Sequence, residues 1–433
     1  MTRFFVFVLS LFCGITSLSG QSILSIEEVL SAVESNNYDL KSARQNIMSA
    51  EVLTSKYNRG YQPTLALSAG LGYSLSGVKT TFNFNFPDLN IQNIQAFNGN
   101  VGVSSDYLLY DGGQRDLRND QNLDNLDFAH LQVDNISQQL KFNASQIYYS
   151  IAQAMYNKEL LEESLSISKE RYKRTSTYYE YGSRSRVDVL NAEVDISRDS
   201  INLLTFKNDI VNLKWQLNQL TLREDTDYEI DTSITLAYLL SNISELQNGL
   251  VEDNKELRAL RKNVEVINFD LAIANKLNAP QIFASGGYTL NYQKNDSKSQ
   301  LDLSRNNGLN LGLSANWNIL DGGQRKVQEQ LAMVDQSSAF IDLKNKENEL
   351  IVQLNRLWNS YQNNLLTIKL EKKNIRINEV NFELVKSLYE NGQQSSVEFR
   401  QAQLNLINAQ SQFYNVQVAA KLQEVEIDFL LAK

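Results

Sequence analysis

The sequence predicts a membrane α+β fold in which a helix, a β-hairpin and a long helical hairpin follow one another, twice. Three observations predict it: an internal duplication, strands that alternate between apolar and small polar residues, and two long stretches without proline or glycine. Only 3 prolines occur in 433 residues, so few positions can break a helix.

Composition excludes several classes of activity. Lys plus Arg is 41 and Asp plus Glu is 50, and the net charge of −9 disfavours a nucleic-acid binder, which needs basic surface. The single histidine, His130, and the single cysteine, Cys13, are too few for a zinc site, an iron–sulfur cluster or a disulfide framework. No G-x-S-x-G nucleophile motif is present. We therefore expect no enzymatic activity and no cofactor, and His130 receives no role.

Residues 1–20 are predicted to be a cleaved signal peptide. A basic start is followed by an apolar run from Phe4 to Phe12 and by small residues suited to signal peptidase. The run is shorter than the roughly 20 apolar residues that a membrane helix needs. The protein is therefore expected to be exported, and membrane insertion would have to use something other than helices.

The chain then contains an internal duplication. The sequence YDGGQRDL from Tyr110 recurs as LDGGQRKV from Leu320, and YEYGSRSRVDV from Tyr179 recurs as YENGQQSSVEF from Tyr389, both 210 residues later. Two landmarks in one order and at one offset predict two structural repeats. We expect these at 21–222 and 250–433, separated by an inter-repeat segment at 223–249.

Each repeat contains a β-hairpin with a membrane pattern. The strands are predicted at about 64–75 and 99–110 in the first repeat, and at about 281–292 and 308–320 in the second. Apolar and small polar residues alternate along them, which is typical of transmembrane barrel strands. Four strands cannot close a barrel, whereas three copies would supply twelve. The alternative is an exposed sheet with one face packed on helices.

The segments between the paired strands, 76–96 and 293–306, are expected to be loops on the outer surface. Phe82, Phe84 and Phe86 form an aromatic cluster in the first of them. These side chains either extend a strand or pack locally.

Long helices make up the rest of each repeat. They are predicted at 114–178 and 186–222 and again at 324–390 and 396–431, and the longer ones approach 100 Å at 1.5 Å per residue. Apolar residues in the first long helix recur at coiled-coil spacing, including Ala144, Ile151, Ala154, Leu161 and Leu165. Two further helices, at 26–57 and 250–277, are expected to lead into the hairpins.

This order of elements resembles the TolC family of bacterial outer-membrane efflux channels. The residues that carry the resemblance are the two DGGQR motifs and the two tip sequences, G-S-R-S-R-V-D-V and G-Q-Q-S-S-V-E-F. The resemblance implies a homotrimer whose 12-stranded β-barrel lies in the lipid of the outer membrane and continues as an α-helical barrel in the periplasm. The residues at 223–249 would then belong to an equatorial belt around that tunnel.

The function implied by the resemblance is that of an exit duct in a tripartite efflux or type I secretion system. A periplasmic adaptor would bind the duct, and an inner-membrane pump would act through the adaptor or touch the tip. The adaptor is expected to contact the tip turns, which contain Gly182, Arg184, Ser185, Arg186, Gly392, Ser395 and Ser396. A structural reading coexists with this one, because a glycine followed by an N-cap serine and an acid also makes a tight helical hairpin.

The resemblance also implies rings of carboxylates at the closed periplasmic entrance. The matching positions are Asp188, Asn191, Glu398 and Gln401, so that Glu398 keeps an acid and Gln401 lacks one. Three copies of Glu398 would attract cations. The structural alternative is an acid in the first helical turn, where the helix dipole stabilises it.

The repeated DGG sequences are interpreted as strand-to-helix junctions. They comprise Asp111, Gly112, Gly113, Asp321, Gly322 and Gly323. Glycine permits positive φ, and aspartate accepts the free N–H groups of a first helical turn. A gate or an ion site is the less favoured interpretation.

Three other functions are compatible with parts of the pattern. An exported coiled-coil scaffold would stay in the periplasm and lack barrel strands. An exported hydrolase would hold an acidic pair in a compact pocket. A self-standing diffusion porin would share the barrel but not the long helical hairpins.

Overall fold

The computed structural model describes residues 22–81, 83, 87–237, 242–299 and 301–432. The predicted signal peptide at 1–20 and the aromatic cluster of Phe82, Phe84 and Phe86 lie outside the described residues. The chain divides into two compact units. The sheet unit contains 42–135 and 251–349, and the hairpin unit contains the residues up to 41, 136–250 and those from 350 onward.

The elements confirm the predicted order of helix, hairpin and long helical hairpin in both repeats. In chain order they are β1 (Ser22–Leu24), α1 (Ile26–Asn36), α2 (Tyr38–Thr54), β2 (Thr64–Thr80), β3 (Leu89–Tyr110), α3 (Gln114–Glu180), α4 (Arg186–Thr221), β4 (Tyr228–Ile230), α5 (Ile243–Asp253), α6 (Lys255–Lys276), β5 (Gln281–Asn295), β6 (Leu303–Asn316), α7 (Gln324–Glu390) and α8 (Ser396–Leu430). Helices α3 and α7 have 67 residues each. No helix in the described part of the chain combines the length and the apolar character that a bilayer crossing requires.

The sheet unit contains one antiparallel sheet with the strand order β2-β3-β5-β6. Directly opposed residues share a face, and the register aligns Leu67, Val103, Tyr288 and Leu309 on one side. We call this side the apolar face. Its leucines are open to solvent in the single chain: Leu71 is 80% exposed and Leu311 is 78% exposed.

The opposite side of the sheet is lined by small and amide side chains. One level of it aligns Gly70, Asn100, Asn291 and Asn306. We call this side the polar face. The alternation that predicted a membrane strand is therefore present as two chemically distinct faces of one sheet.

The hairpins are longer than the sequence predicted. The ladder continues to Thr80 and Leu89 in the first hairpin and to Lys294 and Leu303 in the second, so most of the first expected loop and half of the second are strand. A register shift between Ser76 and Val78 breaks the period of two, which is why the pattern stopped too early. In the other direction, β6 ends at Asn316 rather than at 320.

Asparagines divide the two helices that were expected to be continuous. The first breaks at Asn37, whose side chain accepts hydrogen bonds from the N–H groups of Asp39 and Leu40 at 2.9 and 3.2 Å. The second breaks at Asn254, which caps α6 through the N–H of Leu257 at 2.9 Å. Asparagine is more favourable at an N-cap than inside a helix, because its side chain can accept hydrogen bonds from the free backbone N–H groups of the first turn. Helix α5 also begins at Ile243, inside the segment predicted to separate the repeats.

The inter-repeat segment packs on the hairpin unit through a small parallel sheet. Strand β1 pairs with β4, and Tyr414 donates its hydroxyl to the carbonyl of Thr232 at 2.6 Å. The buried carboxylate of Glu424 accepts hydrogen bonds from the backbone N–H of Ala237 and from the Tyr361 hydroxyl. That the inter-repeat segment belongs to an equatorial belt stays a prediction.

Candidate functional site

Two tight turns close the helical hairpins of the hairpin unit. Helix α3 ends before Gly182, which has φ +72°, and the N–H of Ser183 bonds to the carbonyl of Tyr178 at 2.9 Å. Helix α7 ends before Gly392 in the same way, with φ +75°. Positive φ is the conformation that glycine adopts at least cost, so the local sequence dictates both turns.

The acids predicted to form the entrance ring both cap their own helices. Asp188 accepts from the backbone N–H and the hydroxyl of Ser185 at 3.1 and 2.8 Å. Glu398 accepts from the same groups of Ser395 at 3.0 and 2.6 Å. The bonds from the Ser395 hydroxyl and N–H hold the pKa of the Glu398 carboxyl below its usual value. The capping role is thus visible, and Glu398 remains exposed and charged.

The two amide residues of the predicted entrance ring, Asn191 and Gln401, lie together in a groove beside the capping acids. Asn191 and Gln401 line one groove of about 290 Å³ near the turns. Gln401 donates to the side chain of Asn405 at 2.8 Å. A role of these residues in a constriction stays a prediction.

The residues expected to meet an adaptor differ in their accessibility. Gly182, Ser185, Arg186 and Gly392 are exposed, whereas Ser396 is buried. Arg184 donates to the carbonyl of Gln394 at 3.3 Å and lies over the ring of Tyr389 at 5.7 Å. Arg184 therefore joins the two turns, which makes the pair a single surface that a partner could bind.

Sequence reasoning missed a buried ionic cluster next to the turns. Arg400 of α8 pairs with Asp199 of α4, and Arg171 of α3 pairs with Asp195 of α4. Arg171 also donates to the carbonyl of Ser396 at 3.2 Å. Both arginines and Asp199 are at most 6% exposed. We call these four side chains the ionic cluster, and it fixes α8 against α3 and α4.

Hydroxyl and amide groups complete the ionic cluster. Asp199 accepts from Ser168 and Ser164 at 2.7 and 3.3 Å, and Gln403 donates to the carbonyl of Ser164 at 3.1 Å. The buried positions of α3 in this region are Ser164, Ser168, Arg171 and Thr175. Leu161 and Leu165, which the sequence placed on the packed face, are only half-buried. The signal was available: polar residues recur at spacings of three and four on α3, toward its C-terminal end.

Within the hairpin unit, α3 and α8 lie between the other two long helices. Ser411 of α8 donates to Asn157 of α3 at 2.7 Å, and Gln353 of α7 donates to Glu426 of α8 at 2.8 Å. Helix α4 contacts α3 through Ser168 and Asp199. The helices α4 and α7 therefore each retain an outer side.

Both outer sides carry apolar residues at coiled-coil spacing. On α4 these are Val187, Leu190, Val194, Ile201, Leu204, Val211 and Trp215, and on α7 they are Leu366, Leu370, Ile377, Val380 and Leu384. Ile201 is 64% exposed and Ile377 is 57% exposed. We call these the α4 stripe and the α7 stripe. Recurrence at three, four and seven residues is the pattern of a helix that packs against another helix.

The DGG sequences lie between a strand and a helix in both repeats, the first between β3 and α3 and the second between β6 and α7. Asp111 accepts from the N–H groups of Gly113 and Arg115 at 3.2 and 2.9 Å, and Asp321 accepts from the matching groups of the second repeat. All four glycines of the two motifs have positive φ. Within the described residues, no group of three metal-binding side chains comes together at these junctions or elsewhere.

The two junctions differ in how tightly they are packed. A Cβ added to Gly112 would lie 2.2 Å from the Cβ of Ala279, whereas one added to Gly322 would meet nothing within 4 Å. We expect Gly112→Ala to destabilise the sheet unit by about 2–4 kcal/mol, because the left-handed backbone and the clash both contribute. Gly322→Ala should cost only about 1 kcal/mol, the backbone contribution alone.

Thermal unfolding of the purified protein, recorded for both variants at one scan rate, tests this difference. Gly322→Ala is the matched control, since it occupies the same motif with the same sign of φ. Equal losses in the two variants would show that the contact with Ala279 has no energetic weight.

A family model described as outer membrane efflux protein matches residues 29–221 and 246–433. No curated protein matches the sequence significantly.

Several solved structures share the fold. The transmembrane channel protein CusC aligns with a TM-score of 0.76 at 14% identity, covering 94% of this chain and 91% of that one. The outer membrane channel CmeC of Campylobacter jejuni aligns with a TM-score of 0.73 at 16% identity, covering 94% and 85%. The outer membrane protein VceC of Vibrio cholerae aligns with 0.71 at 16% identity, covering 94% and 95%.

Proposed function

The chain belongs to the outer membrane efflux protein family, and from that premise we propose how it works. The family consists of outer-membrane channels rather than enzymes, and this chain is an exit duct of that kind, with its helices in the periplasm. Three copies form one duct, which receives cargo from an inner-membrane pump through a periplasmic adaptor. The duct itself performs no catalysis.

The single observation that supports this proposal most strongly is the sheet with an exposed apolar face. Leu65, Leu67 and Leu71 of β2 are between 75% and 80% exposed. An apolar surface of this extent is suited to contact with lipid. It would be unfavourable in the alternative of an exported coiled-coil scaffold, which would stay in water. The polar face, with its glycines and amides, then lines the duct.

The sheet also needs further strands. Its outer strands, β2 and β6, each pair on one side only. In lipid an unpaired edge has no water to satisfy its N–H and C=O groups, so the sheet must close. Three sheets of four strands, joined edge to edge from β6 of one copy to β2 of the next, give a barrel of twelve.

The helices support the same assembly. The α4 stripe and the α7 stripe lie on opposite flanks of the hairpin unit, so the two surfaces differ and a ring forms head to tail. Ile201 and Ile377 are each about four helical turns from their tip turns, and therefore lie at similar heights. The α4 stripe of one copy then packs on the α7 stripe of its neighbour.

The tip turns are the surface that we assign to the adaptor. They are at least partly exposed apart from Ser396, and they are capped and joined by Arg184, which gives a partner a defined shape to bind. The pump acts through the adaptor or reaches the tip directly.

Planar-bilayer recording of the detergent-purified protein tests the duct and its entrance together. We expect discrete conductance steps with cation preference, and we expect Glu398→Gln to reduce that preference severalfold in reversal-potential measurements. Glutamine at this position can still reach the N–H of Ser395, so the variant removes the charge and keeps the cap. The lowered pKa of Glu398 means that the wild-type preference should persist into mild acid.

Each outcome bears on a different part of the proposal. Absence of conductance in the wild-type protein would contradict the duct. Unchanged selectivity in Glu398→Gln would leave the duct in place and remove Glu398 from the entrance ring. Asp188→Asn is a matched comparison, because Asp188 makes the equivalent cap in the first repeat.

A further inference from the structure

A groove of about 930 Å³ lies on the apolar face of the sheet. Gly99 lies between Leu71 and Tyr292 in the register. Because glycine has no side chain, a space remains between the side chains of Leu71 and Tyr292. Phe97 and Leu290 extend its walls. The groove is therefore a long apolar depression on the side that faces lipid in the assembled duct.

A positive charge stands at the rim of this groove. Arg305 lies directly opposite Tyr292, and the centre of its guanidinium group is 5.8 Å from the centroid of that ring. Among the ion pairs of the described residues, none involves Arg305. An exposed guanidinium group next to an apolar groove is a fork of donors suited to phosphate.

A second cation lies on the same face. Lys294 follows Tyr292 by two residues on β5, so it shares the apolar face and is a diagonal neighbour of Arg305. Its ammonium group is held by both carboxylate oxygens of Asp302 at 2.7 Å. Asp302 takes two of the three N–H donors of this ammonium group, and the third stays accessible, since the Lys294 side chain is 48% exposed.

The position of Arg305 along the strand gives its depth in the membrane. Arg305 and Ala315 lie on the same face of β6, ten residues apart. At about 3.3 Å per residue and a tilt of about 40°, they are separated by about 25 Å along the membrane normal, which is the height of the apolar band of such barrels. Arg305 and Lys294 therefore lie where the outer headgroups begin.

We propose that this groove is a binding site for a phosphorylated lipid of the outer leaflet. An acyl chain occupies the groove over Gly99, and the lipid phosphate accepts hydrogen bonds from Arg305 and Lys294. The inference rests on the proposed function, because it needs the sheet to lie in the outer membrane. It adds to that function a specific lipid ligand at three symmetry-related sites on the duct.

Native mass spectrometry of the detergent-purified trimer, titrated with lipopolysaccharide, tests the site. We expect saturable binding of up to three molecules, and at least a tenfold loss of affinity in Arg305→Gln. Gly99→Leu should give a comparable loss, because the new side chain fills the groove while Arg305 remains. Lys326→Gln, which removes an exposed cation on α7, is the matched control and should bind as the wild type does.

Two competitors separate the possible ligands. Dephosphorylated lipopolysaccharide should bind more weakly than the intact lipid in the wild-type protein and equally weakly in Arg305→Gln. Inorganic phosphate at the same concentration should not displace the lipid. Displacement by phosphate alone would indicate a free-anion site and overturn the proposal.

The bilayer recording distinguishes failure of the lipid site from failure of the duct. Arg305→Gln changes an exposed side chain and should keep the wild-type conductance. Conducting trimers whose lipid binding is the same in the wild type and in Arg305→Gln would overturn the lipid site and leave the duct intact. Should Gly99→Leu not assemble, Arg305→Gln decides the matter alone.

Discussion

Replacing Asp199 with alanine is expected to destabilise the hairpin unit by about 3–5 kcal/mol, the cost of leaving a buried charge without its partner. Asp199 is 2% exposed and pairs with Arg400, which is 6% exposed. Ser164 and Ser168 would lose their acceptor at the same time. The guanidinium group of Arg400 would keep its desolvation penalty, with only the longer ion pair to Asp195 at 3.8 Å to offset it.

The double variant Asp199→Leu with Arg400→Met separates the effect of an unpaired buried charge from the effect of lost packing. Replacing both members of a buried pair by apolar side chains is often close to neutral, so most of the loss should be recovered. Thermal unfolding followed by helical circular dichroism, at one scan rate for all variants, gives the comparison.

A surface pair provides the control for the buried one. Glu170→Ala removes one member of the exposed pair with Arg174 on the same helix as Arg171, and should cost about 0.5 kcal/mol or less. A double variant as unstable as Asp199→Ala would show that packing, and not the unpaired charge, causes the loss.

The second large effect is expected at the α7 stripe. Ile377→Glu should abolish the trimer, because a carboxylate would be buried in each of the three equivalent helix contacts without a partner. Light scattering coupled to size-exclusion chromatography measures the mass of the particle. Lys372→Glu adds an acid to the same helix away from the stripe and should leave the trimer intact.

Charge pairing across the interface identifies the partner of the α7 stripe. Ile201→Glu in the α4 stripe should have the same effect as Ile377→Glu, since each contact uses both surfaces. Combining Ile201→Lys with Ile377→Glu should restore trimers in part, because the two side chains lie at similar heights. Failure of this combination, with each single variant monomeric, would mean that the α7 stripe packs against another surface.

The sequence predicted the elements well where one local rule decides the structure. The glycines at 182 and 392 and the serines that follow them specify two turns and two capping boxes, and the structure contains both. The duplication alone gave the DGG junctions and the bounds of α7, whereas α3 continues to Glu180, two residues beyond its predicted end. Positive φ and N-terminal capping involve a few neighbouring residues, which a sequence displays directly.

Prediction failed where distant residues decide. The polar side of α3 near the turns is buried because Asp199 and Arg400, far away in sequence, bring matching charges to it. A periodicity that counts only apolar residues selected Leu161 and Leu165 instead. The hairpins extend beyond the predicted strands because partners such as Val78 and Ile91 hold the ladder together after its alternation has stopped.

The one-sided pairing of β2 and β6 has a consequence for biogenesis. After secretion, a single protomer exposes two unpaired strand edges and the apolar face of its sheet. Until it assembles with two other protomers, it is therefore a substrate for chaperones and proteases. Folding and association are then inseparable, as in other obligate oligomers. At low abundance the yield of finished ducts should rise roughly with the third power of the protomer concentration, by mass action. A small change in the synthesis of the chain therefore produces a larger relative change in the number of assembled ducts.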